Sequence, residues 1–77
     1  MTGAQCRMAR AALGLGVREL ADAAMVSPST VVRIEGGEEL KPRTIAAVRQ
    51  ALEAAGVIFI DENGKGPGVR LRKKHGL

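Results

Sequence analysis

Between Ser27-Pro28 and Gly36-Gly37 the chain carries Ser29, Thr30, Val32 and Arg33, interleaved with Val31 and Ile34. Serine followed by proline is a helix-start signal: the hydroxyl accepts from an early backbone N–H, and proline at the first helical position gives up no hydrogen bond. A helix running from Pro28 to about Glu35 turns Val31 and Ile34 to one flank and leaves Ser29, Thr30, Val32 and Arg33 on the other. Hydroxyls, methyl groups and a guanidinium on one free flank are groups that can hydrogen-bond and pack against base edges. A helix also has the diameter that enters a major groove, with its N-terminal half reaching those edges.

Other chemistries find no complete set of residues. Cys6 is the single cysteine, so no internal disulfide and no cysteine-rich zinc site is expected; on the apolar stripe of a helix it reads as a small hydrophobe. His75 has no ligands near it in the sequence. The Asp61-Glu62-Asn63-Gly64-Lys65-Gly66 stretch is superficially like a calcium loop, but Lys65 takes a ligand position and Arg72 stands where a bidentate acid belongs, so it reads as a turn. Gly64, Gly66 and Gly68 are not followed by a helix or by a Lys-Ser/Thr ending, as a phosphate loop requires. No nucleophile, base and orienting acid converge, so no enzymatic activity, catalytic residue, metal or cofactor is expected.

The elements that must position the residues 28–35 helix are legible from start and stop signals. Thr2 followed by Gln5 matches a capping box, and Cys6, Ala9 and Leu13 recur at helical spacing until Gly14, giving a helix over about 3–13. Val17, Leu20, Ala21 and Ala24 give a second over about 17–24, with Arg18, Glu19 and Asp22 on its outer side. Only Met25 to Ser27 separate it from the third helix, so the two must cross steeply. Lys41-Pro42 opens a fourth helix with Ile45, Val48, Leu52 and Ala55 as its inward stripe, ended by Gly56. Val57 to Ile60 is then short and β-prone, 61–68 is turn-rich, and Val69-Arg70-Leu71-Arg72 alternates, which predicts a hairpin.

Composition agrees with this plan. At 77 residues there is room for one modest core, built from aliphatic residues because Phe59 is the lone aromatic. The net charge of +4 resides in the C-terminal stretch, where Arg70, Arg72, Lys73 and Lys74 face no acid; the preceding 68 residues hold eight bases and eight acids. A polyanionic partner is therefore permitted by charge, but must be argued from position. Apolar runs reach about five residues, against the roughly 20 that span a bilayer, and no leader-like segment opens the sequence. A cytoplasmic protein with no membrane association is expected.

Leu15, Arg18-Glu19-Leu20-Ala21, the run from Val26-Ser27-Pro28 through Arg33-Ile34-Glu35-Gly36-Gly37, and Pro42-Arg43 together resemble the phage-repressor (Xre, or Cro-like) helix-turn-helix family over roughly residues 3–55. The resemblance implies a mainly α, lambda-repressor-like bundle of four to five helices, here with a C-terminal β-hairpin, whose third helix reads DNA. It implies that Ser29 and Arg33 face bases, Arg33 as a two-pronged donor to guanine O6 and N7, while Pro28, Thr30 and Val32 shape the contact. Phosphate contacts map onto Arg18, Ser27, Lys41 and Arg43. Arg10 and Glu35 correspond to a pair that in relatives often forms a largely buried ion pair, a structural role. Two positions depart from the family pattern. Gly16-Val17 replaces a Ser/Thr cap and a phosphate-touching Gln, leaving Arg18 as the neighbouring cation. Met25 stands where relatives favour glycine, which costs on the order of 1 kcal/mol if its φ is positive.

The expected organisation is a DNA-binding domain over 1–56 and a hairpin with basic tail over 57–77. A lone hairpin is marginal in water, so Val57, Ile58, Phe59, Ile60, Val69 and Leu71 require cover. The same segment of a second chain would supply it, making the chain a homodimer on a palindromic operator. The alternative is that the strand folds back onto the fourth helix of its own chain. Functionally, a repressor-type transcriptional regulator is expected. The rival is an antitoxin-like module, which resembles this family, binds a toxin protein and regulates its own promoter.

Overall fold

The computed structural model describes residues 1–73, so the readings of Lys74 and His75 fall outside the described residues. Four helices, α1 (Gly3–Leu13), α2 (Val17–Ala24), α3 (Pro28–Glu35) and α4 (Pro42–Ala54), precede an antiparallel hairpin of β1 (Val57–Ile60) and β2 (Gly68–Leu71). This is the small helical bundle with an appended hairpin that the periodicities predict.

The helix starts follow from local chemistry. The Thr2 hydroxyl accepts from the Gln5 amide at 3.0 Å, and Gln5 Oε1 accepts from the Thr2 amide at 2.9 Å, completing the capping box. Ser27 Oγ accepts from the Thr30 amide at 3.2 Å ahead of Pro28. Gly16 has no side chain with which to cap α2. Glu19 compensates from inside the first turn, its Oε1 accepting from the Gly16 amide at 2.8 Å.

α1, α2 and α3 each end on a left-handed residue, at Gly14 (φ 70°), Met25 (φ 59°) and Gly37 (φ 86°). Each lets two amides turn back onto the last carbonyls; after α2, Met25 donates to Asp22 and Val26 to Ala21. Met25 is the non-glycine residue among the three, and the strain anticipated from its sequence position is present, on the order of 1 kcal/mol. With its side chain 91% exposed, packing does not offset that cost.

Cys6, Ala9, Leu20, Ala21, Ala24, Val31, Ile34, Val48, Leu52 and Val57 form one core, ringed by half-buried residues such as Leu13, Val17, Val26 and Ile45. The expected stripe of α4 departs from this at its end. Ala55 is the C-cap and is exposed, because the helix closes at Ala54 and the chain turns through Gly56. Val57, only 3% exposed, is instead the next residue along the chain to enter the core.

The hairpin finds its cover within the chain. Its register sets Val57 opposite Leu71 and Phe59 opposite Val69 on one face, with Ile58 opposite Arg70 and Ile60 opposite Gly68 on the other. Val57 lies in the core and Phe59 and Val69 pack against it. Gln5 Nε2 donates to the carbonyls of Ile60 and Gly68, each at 3.0 Å, tying α1 to both strands. From α4, the Arg49 guanidinium sits 5.0 Å above the Phe59 ring, and Arg72 Nη2 donates to the Glu53 carbonyl at 2.9 Å. Ile58 and Leu71 remain 42% and 49% exposed. The acidic-glycine stretch is a turn closed on itself: Glu62 accepts from the Gly66 and Gly64 amides at 2.8 and 2.7 Å, bonds that hold its carboxyl below the usual carboxylate range. Among the described residues no helix is long and apolar enough to cross a membrane, and no cluster of three His, Cys, Asp or Glu is placed to hold a metal.

Candidate nucleic-acid interface

α3 is held on one flank and at one end. Val31 (0% exposed) and Ile34 (2%) enter the core, whereas Pro28, Ser29, Val32 and Arg33 are exposed and Thr30 is half-buried. Val32 keeps 57% of its surface in solvent, an apolar side chain among polar ones on the free flank. At the N-terminus three hydroxyls cluster, with Ser27 Oγ 3.0 Å from Ser29 Oγ and 2.8 Å from Thr30 Oγ1. Ser27 is thus occupied as the cap, and the Ser29 and Thr30 hydroxyls are drawn toward the first turn.

The C-terminal end of α3 is gripped by α1. Arg10 Nε and Nη2 donate to the two oxygens of Glu35 at 2.8 and 3.0 Å, and Arg10 Nη1 donates to the Leu15 carbonyl at 3.2 Å. The Glu35 side chain is 10% exposed and that of Arg10 25%, so the pair lies largely buried at the positions where the family resemblance implies an ion pair, and its geometry is two-pronged. Cys6 Sγ also donates to Glu35 Oε2, at 3.6 Å. Burial, reinforced by that neighbouring carboxylate, pushes the Cys6 thiol up to about 12, so it stays protonated and serves as packing. Arg7 donates to the Glu35 carbonyl. Gly3 brings the backbones together: a Cβ at this position would lie 2.5 Å from the Ile34 carbonyl oxygen.

Beside the free flank lies a cleft of about 440 Å³, lined by Thr30, Arg33, Glu39, Leu40, Lys41 and Thr44. It brings the expected base-reading Arg33 together with the expected phosphate anchor Lys41. Arg43 is exposed in the first turn of α4 but outside this lining, and Arg18 is exposed on α2. Lys41 is the N-cap of α4 and offers no side-chain acceptor, which leaves that helix start without a side-chain cap. The hairpin cations lie elsewhere, and Arg72 is engaged with α4 rather than free for a phosphate.

Two residues of this surface were not singled out from the sequence. Thr44 adds a hydroxyl to the cleft. Glu38 pairs with Arg33: its Oε2 accepts from Arg33 Nε at 2.6 Å and also from Nη2. This pairing holds the Glu38 carboxyl below its usual range and raises the Arg33 guanidinium. The spacing of an arginine and an acid across Gly36-Gly37 was the available signal.

The geometry is that of two short helices joined by a tight turn, the second offering a free flank with cations beside it. A family model described as a helix-turn-helix domain matches residues 3–57. The chain belongs to that family, and the match spans all four helices and the first residue of the hairpin. Membership points to DNA binding and to a regulatory role. No curated protein is similar enough to the chain to count as a match.

Proposed function

We propose that this protein is a transcriptional regulator of the phage-repressor-like kind, reading a palindromic operator as a homodimer with α3 in the major groove. The observation that carries this reading is the division of α3, with Val31 and Ile34 buried and Ser29, Val32 and Arg33 on the free side. In this arrangement Arg33 donates to a guanine, Ser29 meets a neighbouring base edge, and Val32 and the Thr30 methyl pack on thymine methyl groups. Lys41 and Arg43 grip phosphates on one side, and Arg18 does so beyond the N-terminus of α3. The resemblance to phage repressors favours repression. Exposed Ile58, with half-buried Ile60 on the same outer face, and the outer edges of a two-stranded hairpin support a dimer contact in that region.

Selection from a random duplex pool tests this. The unaltered chain is expected to enrich a site of two inverted half-sites about one helical turn apart, each with a preferred guanine. Arg33→Ala is expected to lose that guanine preference by about 10- to 100-fold while the remaining positions persist. No enriched sequence, or a site unchanged by Arg33→Ala, overturns the reading.

A further inference from the structure

Arg33 and Glu38 are joined by backbone as well as by side chains. α3 ends in a left-handed turn in which the Gly37 amide donates to the Ile34 carbonyl and the Glu38 amide to the Arg33 carbonyl, both at 3.0 Å. The reversal depends on Gly37 at φ 86°, a conformation that L side chains rarely adopt. In this type of helix ending, the residue two past the cap comes back over the residue three before it, and a hydrophobic contact commonly joins the two. Here those positions hold Glu38 and Arg33, and the contact is a charged hydrogen bond.

Which edge of the guanidinium Glu38 takes decides what remains for a ligand. Nε and one Nη2 hydrogen are directed at Glu38 Oε2. The terminal fork, Nη1 with the second Nη2 hydrogen, is left pointing away from the acid. That fork can still donate twice to guanine O6 and N7. A long arginine on an open surface otherwise loses rotamer freedom when it binds, and ordering it beforehand reduces that loss.

We propose that Glu38 is a positioning residue for base readout, holding the Nε edge of Arg33 so that the terminal fork is presented to a guanine. The proposal rests on Arg33 being the base-reading residue. A surface ion pair alone contributes little to stability, so the role lies in orientation rather than in holding the fold. An acid beside the DNA also repels phosphates, and Glu38 can remain there because Arg33 neutralises it.

Competition binding with the selected duplex and its guanine-substituted versions, run on full-length Glu38→Ala, Glu38→Gln and Arg33→Ala, separates the possibilities. Thermal melts verify that each variant is folded. Glu38→Ala is expected to lower discrimination at the Arg33 guanine by about five- to tenfold, leaving other positions and the slope of affinity against salt unchanged. Glu38→Gln, which keeps a neutral acceptor, is expected to fall between Glu38→Ala and the unaltered chain. Uniformly tighter binding with discrimination intact would overturn the proposal, because the acid then acts by repelling the backbone. So would no change at all. If Arg33→Ala abolishes the guanine preference and Glu38→Ala does not, the positioning role alone fails. If neither alters it, the assignment of Arg33 fails and the positioning role with it.

Discussion

Glu35→Ala is expected to lose about 3 to 5 kcal/mol of folding stability, the cost of breaking a largely buried ion pair from one side. For a domain of this size that is a drop in Tm of about 15 °C or more. The removed carboxylate accepts from Arg10 through both Nε and Nη2 and from the Cys6 thiol. Its loss leaves the Arg10 guanidinium with only the Leu15 carbonyl among these partners. The exposed pairs provide the comparison: Arg49 with Glu53, at 3.2 Å and about 40% exposed on each side, should be worth well under 1 kcal/mol. Urea unfolding followed by circular dichroism measures both. A Glu35→Ala variant within about 0.5 kcal/mol of the unaltered chain would mean that the pair does not hold α3 against α1. Because unfolding also abolishes DNA binding, this variant says nothing about contacts to DNA.

Gly3→Ala is expected to destabilise the fold, opposite in sign to what helix propensity suggests. Alanine in a helix is favoured over glycine by up to about 1 kcal/mol. Here the added methyl would lie 2.5 Å from the Ile34 carbonyl oxygen and 3.0 Å from that of Glu35. Both are backbone atoms of the helix on which the interface depends, so they cannot rotate away as a side chain would. Relief requires α1 to move off α3, stretching the Arg7 and Arg10 contacts to Glu35. Overpacking of this kind costs about 1 to 3 kcal/mol, which outweighs the propensity gain and leaves a net loss near 1 kcal/mol. A rise in Tm would show that the two backbones are not in close contact.

The helices were legible because their signals are local. Thr2 with Gln5, Ser27 with Pro28, and Lys41 with Pro42 each declare a helix start within a few residues, and α1, α3 and α4 begin where those signals place them. The division of α3 was legible for the same reason, since a 3.6-residue period assigns Val31 and Ile34 to one flank whatever lies beyond. Long-range placement was not. Gln5 caps its own helix, yet its amide nitrogen reaches carbonyls 55 and 63 residues further along, which no local spacing encodes. The cover of the hairpin by α1 and α4, and the burial of Val57 while Ala55 stays exposed, likewise depend on how elements dock. The Arg10–Glu35 pair came from family resemblance, because 25 residues separate its members. Arg33 and Glu38 are an intermediate case, five residues apart but joined only through the turn at Gly37.

In the proposed reading the free flank of α3 enters a duplex while α1 holds its far end. Amide and methyl NMR shifts, followed as a selected duplex is titrated into the full chain, test it most directly. The largest changes are expected at Ser29, Thr30, Val32 and Arg33, with a second group at Lys41, Arg43 and Thr44, while Cys6, Ala9 and Leu52 in the core stay nearly still. Changes confined to the hairpin around Ile58 and Arg70, with α3 silent, would contradict it.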